Sequence, residues 1–166
     1  MAGLRLSLGA ALLLAALPLP GQAQTPYTVQ PQPSLTQSLA LAQAALEVCQ
    51  SRGYAASVAV VDSAGRVKLV LRADDAPKPP VAAPRKAAAA AHYDLPGSVM
   101  MPRSETDAAF AAELAAHKDI YNPHPGSLPL HENGRLIGGL AVADVPHEVA
   151  DACARTALKT AGQGLN

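Results

Sequence analysis

Apolar positions recur with two periods along residues 35–161, and they mark four helical and four extended stretches. Leu39, Ala42, Leu46 and Cys49 follow a 3-4-3 spacing, which predicts a helix starting near the N-cap Thr36, with Gly53 as its C′ stop. Ser57–Asp62 (SVAVVD) and Val67–Arg72 (VKLVLR) are β-rich runs joined by Ser63-Ala64-Gly65-Arg66, a hairpin. The first run is apolar at successive positions, which predicts a strand covered on both faces. Ala73–Pro84 carries four prolines and reads as an ordered surface loop. Arg85–Tyr93 is an Ala-rich helix thin enough to lie close to a sheet, and Asp94–Arg103 reads as a loop. A third helix is predicted from Ser104 to about His117, with acidic residues at its positive end. Lys118–Ser127 holds Pro123 and Pro125 and reads as irregular. Leu128–Glu132 and Arg135–Ala143 flank Asn133-Gly134, the strongest hairpin signal in the chain. Gly138 and Gly139 inside the second of these strands predict a close approach by another backbone or a ligand. Pro146 leads into a last helix, His147–Ala161, ended by Gly162.

The order is helix, hairpin, helices, hairpin, helix. Two hairpins make antiparallel pairs and exclude a doubly wound parallel fold. The predicted class is α/β (α+β), a central antiparallel sheet covered by helices on both sides.

The N-terminus follows a different pattern. Arg5 precedes an almost pure Leu/Ala run, Leu6–Leu17; Pro18 and Pro20 break it, and Gly21-Gln22-Ala23 offers small residues before a cut at Gln24. Residues 1–23 therefore read as a cleaved signal peptide, 24–34 as a flexible lead, and 35–164 as one domain. The run is too short to span a bilayer, which takes about 20 residues, and no later stretch in the mature chain is longer. The expected location is the periplasm or the exterior. There Cys49 and Cys153 can pair, or stay as two buried thiols acting as small hydrophobes.

Composition narrows the function. Lys plus Arg and Asp plus Glu stand at 13 each, with no Trp and one Phe. Balanced charge and scarce rings exclude an electrostatic nucleic-acid footprint and a base-stacking platform. Phosphate loops, dinucleotide fingerprints, nucleophile elbows and paired metal-ligand spacings are absent. What remains is five histidines. Haem needs only one or two axial ligands and an apolar slot, and His92, His124 and His131 are the candidates for the iron. Arg72, Arg85 and Lys86 gather in sequence around the Pro-rich loop; they read as a clamp for a carboxylate or propionate, or as a solvated rim. Asp62 and Asp94 read as carboxylates for chemistry or as turn caps.

SVAVVDSAGRVKLVLRADDA, then APRKAAAAAHYDLP, then LPLHENGRLIGGLAVA resembles the GlcG/HbpS haem-binding family. Leu35-Thr36, Val60-Val61-Asp62, Gly65, Arg72, Asp74, Lys86-Ala87, Tyr93, Pro96, Gly134, Ile137-Gly138 and Val142 carry the likeness. It implies a profilin-like α/β/α sandwich with a five-stranded antiparallel sheet, usually assembled into homo-oligomers. It also implies tetrapyrrole binding in some members, sometimes with export and a sensor protein as partner. The sequence departs from the family where the late strand usually ends Val-Ser-Gly; here it reads Val142-Ala143-Asp144. Three functions stay open at this point. They are an exported haem-binding protein, a binder or enzyme for a small organic acid clamped by Arg72 or Lys86, and a partner-binding or sensor-accessory module.

Overall fold

The computed structural model describes residues 29–166, so the predicted signal peptide and the start of the lead lie outside the described residues. The element order is α1 (Leu35–Ser51), β1 (Ser57–Asp62), β2 (Val67–Arg72), α2 (Ala82–Tyr93), α3 (Gly97–Thr106), α4 (Ala108–Ala116), β3 (Ser127–Glu132), β4 (Arg135–Ala143) and α5 (His147–Ala161). The strands form one antiparallel sheet in the order β2-β1-β4-β3.

Strand alternation splits the core into two faces. Val58, Val60, Leu140 and Val142 point to one face and pack with Leu41, Ala45, Ala150 and Ala154 of α1 and α5. Ala59, Val61, Ala141 and Ala143 point to the other, where Ala83, Ala87 and Ala91 of α2 cover them. Met100, Phe110 and Leu114 of α3 and α4 then pack on the outer side of α2, against Ala89 and Ala90. This is the predicted α/β/α sandwich, and β1 is buried at all six positions as its unbroken apolar run requires.

Both hairpins sit where the turn residues put them. Asn133 and Gly134 both take positive φ, at 52° and 76°, the geometry of a two-residue turn that matches strand twist. Gly139 carries the helix contact: a Cβ there would overlap the Ala87 carbonyl, so α2 rests directly on β4.

Several expectations are corrected. Ser34, not Thr36, caps α1, because Ser34 and Gln37 form a reciprocal capping box. The buried stripe is Ser38, Leu41, Ala42, Ala45 and Cys49, one notch round from the predicted face, and Leu39 is exposed. Gly53 does end the helix: its N–H donates to Gln50 O and that of Tyr54 to Cys49 O. The helix α2 starts three residues early, with Pro84 in the first turn, where a missing N–H costs nothing. Residues 97–106, predicted mostly as loop, form α3 around Pro102. Asp107 then breaks the predicted third helix by leaving the helical region and capping α4 with its own side chain.

Among the described residues the sheet has four strands rather than the five implied by the resemblance. The place beside β3 is held only by a bridge between Glu132 and Leu165, with Asn166 exchanging both backbone hydrogen bonds with His131. The C-terminal residues therefore belong to the domain. So does the end of the lead: Pro33 is fully buried, and the Ser63 N–H donates to Pro31 O. Cys49 and Cys153 form a disulfide between α1 and α5, with Cα atoms 5.6 Å apart. Among the described residues, no helix is long and apolar enough to cross a membrane.

Candidate functional site

The basic cluster read from the sequence is not a cluster in space. Arg72 ends the edge strand β2 and turns onto the Pro-rich loop, where it donates to the carbonyls of Lys78 (3.0 Å) and Ala76. It is a brace for that loop. Lys86 points the other way and is 4 % exposed, with its Nζ donating to Val142 O at 2.7 Å. Burial pushes its pKa from 10.5 down to about 8, against the opposing pull of Asp144 and Asp151. Buried Lys86 presents no free charge to a carboxylate, whereas Arg72 stays exposed and lines a separate groove with Asp74 and Asp75, whose carboxylates oppose an anion there.

Arg85 is different. It lines a cavity of about 370 Å³ on the outer side of α2, with Leu114, Lys118, Tyr121, Pro123 and His124. Its Nε–H is buried and has no hydrogen-bond partner among the described residues.

The three candidate histidines separate. His131 lies on β3, with Nε2 2.9 Å from Asp94 Oδ1, beside a different groove lined by Leu128, Arg155 and Lys159. His92 stands exposed at the end of α2, stacked on Tyr121 with ring centroids 4.6 Å apart. His124 enters the Arg85 cavity between two prolines. Asn122 Oδ1 accepts from its backbone N–H at 3.2 Å and also takes its ring Nδ1 as partner. That oxygen assignment makes Nδ1 the protonated nitrogen and leaves the lone pair on Nε2. Metal-binding imidazoles are oriented in this way. Burial lowers the pKa of His124, and the neighbouring His147 and Lys86 lower it further, which favours the neutral ring.

Aromatic side chains are few in the sequence, yet the fold gathers several around Tyr121, the tyrosine that lines this cavity. Tyr93 packs on Phe110 and Tyr121, and His117 meets Tyr121. Burial, followed by Glu113, pushes Tyr93 up to about 12 and raises Tyr121. Both stay phenols at neutral pH. Among the described residues, no group of three or more His, Cys, Asp or Glu is arranged to hold a bare metal ion. A site with one strong donor, apolar side chains beside Tyr121, and two cations, Arg85 and Lys118, fits a metal carried by a macrocycle better.

Of the residues that line this cavity, the sequence singled out His124 and Arg85 but not Tyr121, whose place there depends on α4 folding back over α2. Pro123-His124-Pro125 was the available signal, since two prolines hold a histidine with little backbone freedom.

The family model described as "Haem degrading protein HbpS-like" matches residues 34–159. Among solved structures, a PduOC–haem complex is similar at 25 % identity and a TM-score of 0.71, covering 77 % of this chain and 94 % of that one. A double mutant of Streptomyces reticuli HbpS is similar at 28 % identity and a TM-score of 0.68, covering 91 % and 97 %. Klebsiella pneumoniae protein ORFY shares the fold at 21 % identity and a TM-score of 0.70, covering 85 % and 95 %. No curated protein matches the chain significantly.

Proposed function

The chain belongs to the HbpS-like family of haem-degrading proteins, and from that premise we propose that it is an exported haem-binding protein whose haem seat is the cavity beside His124. The observation that supports the reading is that one cavity is lined by both Arg85 and an imidazole whose Nδ1 is committed to Asn122. When bound, haem supplies a redox-active iron within a flat apolar ring that carries two propionates. His124 would hold the iron through Nε2, and Arg85 with Lys118 would meet the propionates. Leu114 and Tyr121 would pack the ring and keep water from it. The relative solved with haem supports the ligand class.

Export rests on residues 1–23. Self-association and a sensor partner, implied by the resemblance, belong to the same proposal. Light scattering reads the first and pull-down with a co-exported sensor domain reads the second.

The direct test is titration of the chain from Gln24 onward with ferric haem. The expected result is a saturable, shifted Soret band that His124→Ala weakens at least tenfold, while His92→Ala and His131→Ala leave it in place. A band unchanged by His124→Ala overturns the seat. No saturable band at all overturns the function.

A further inference from the structure

We infer that Lys86, which would touch no part of the haem, is a positioning residue that fixes His124 in the cavity; this rests on the reading of His124 as the iron-binding side chain. One turn of α2 anchors both ends of the segment that carries His124. At its start, the Asn122 N–H donates to Arg85 O at 3.1 Å. At its end, Gly126 lies directly on the Lys86 ammonium: a Cβ at Gly126 would come within 2.9 Å of Nζ and 2.8 Å of Val142 O.

The anchoring at Gly126 follows from how the sheet ends. The Val142 N–H donates to Gly126 O at 2.7 Å, one step before β3 begins. N–H and C=O of one strand residue point to the same side, so Val142 O faces the same edge. The reciprocal donor of that rung would be the Gly126 N–H, which turns to Asp151 Oδ1 instead. Lys86 Nζ supplies the donor at 2.7 Å. The ammonium thus closes the last rung of the ladder from the side and leaves no room for Gly126 to shift. Gly126 itself takes φ +98°, and its N–H donates to Asp151 Oδ1 at 3.4 Å.

Between the two anchors the chain has few degrees of freedom. Pro123 and Pro125 fix their own φ angles on either side of His124. The His124 carbonyl rests on Gly97, where a Cβ would overlap it, and accepts from Ser127 Oγ at 3.4 Å. Removing the Lys86 donor would leave a buried carbonyl unpaired and release the end of this segment nearest the ring.

The experiment compares wild type, Lys86→Met and Gly126→Ala, each by amide hydrogen exchange without haem and then by haem titration. Lys86→Met keeps the length of the side chain and removes the donor. Gly126→Ala keeps Lys86 and displaces the same residue, because its Cβ would collide with Ala150. With either variant folded, Val142 amide exchange should rise at least tenfold without haem. Haem affinity should fall about tenfold, with an altered Soret maximum. Lys86→Arg, which retains a charged donor, should recover part of both. Faster Val142 exchange with unchanged affinity and spectrum overturns the positioning role and leaves the haem seat standing. Unchanged Val142 exchange in Lys86→Met overturns the anchor itself. Haem binding indifferent to His124→Ala overturns the seat, whatever Lys86→Met does.

Discussion

The Nζ of Lys86 lies 2.7 Å from the carbonyl oxygen of Val142, and the charge is buried to 4 % exposure in making that contact. A buried ammonium is costly, and its pKa of about 8 records the cost. The sign for stability follows. Between about pH 8 and 10.5 the folded chain has released this proton while the unfolded chain still holds it. Unfolding then takes up a proton, so stability rises with pH across that window and is lost again as pH falls to about 8. Wild type should gain up to roughly 3 kcal/mol relative to Lys86→Met between pH 7 and 10.5. Urea melts of both proteins at the two pH values measure it. A difference independent of pH would contradict the buried charge.

Arg85 and Arg72 should behave differently. Arg85→Met removes a cation that lines the cavity and should weaken haem binding about tenfold, the worth of one charge-assisted bond. Arg72→Ala should leave haem affinity within about twofold while increasing proteolysis in residues 73–81, since it braces the carbonyls of Ala76 and Lys78. Parallel haem titrations and limited proteolysis check both. Equal loss of affinity in the two variants would return Arg72 to the site.

The disulfide between Cys49 and Cys153 closes a loop with a sequence separation of 104. In the chain-entropy account, a loop of that size stabilises by about 4–5 kcal/mol. The Cys49→Ala, Cys153→Ala double variant should therefore unfold at clearly lower denaturant than the oxidised chain. Mass analysis after alkylation without reductant should find no modified thiol in unfolded wild type. Two alkylated cysteines there would refute the bond.

Gly139 should tolerate no side chain. A Cβ would strike the Ala87 carbonyl, which is backbone and cannot rotate away. Gly139→Ala should destabilise by about 1–3 kcal/mol through forced separation of α2 from β4. The thermal midpoint would fall by several degrees. Haem affinity should fall with it, because Arg85 sits on the displaced helix. Gly134→Ala, facing open space but at φ +76°, should be a milder change confined to the turn.

The strands were the most legible part of the chain. Their ends match the two hairpin turns because Gly65 and Asn133-Gly134 tolerate the positive φ that a tight turn requires. Helix boundaries were less legible. Ser34 outcompetes Thr36 as a cap through Gln37 three residues on, and Asp107 breaks a run whose composition reads as continuous helix. Within the proposed site, His124 was nameable from its prolines. The assignment of Arg85 rather than Arg72 or Lys86 was not, because adjacent helix positions diverge by about 100°. Arg85 turns to the cavity and Lys86 to the end of the sheet.

Local physics acts through neighbours in the chain, so the sequence alone determined what depends on a few adjacent residues: the hairpins, the Ala-rich helix that can lie on a sheet, the Gly positions of close approach, and the family likeness. Tertiary structure decided everything that depends on which distant side chains meet. It spread the basic residues apart, gathered the few aromatic rings around Tyr121, joined Cys49 to Cys153, and set a lysine beneath Gly126. Those outcomes are fixed by packing two helical layers onto one sheet, where a residue's partners lie tens of positions away and its own neighbours in sequence carry no record of them.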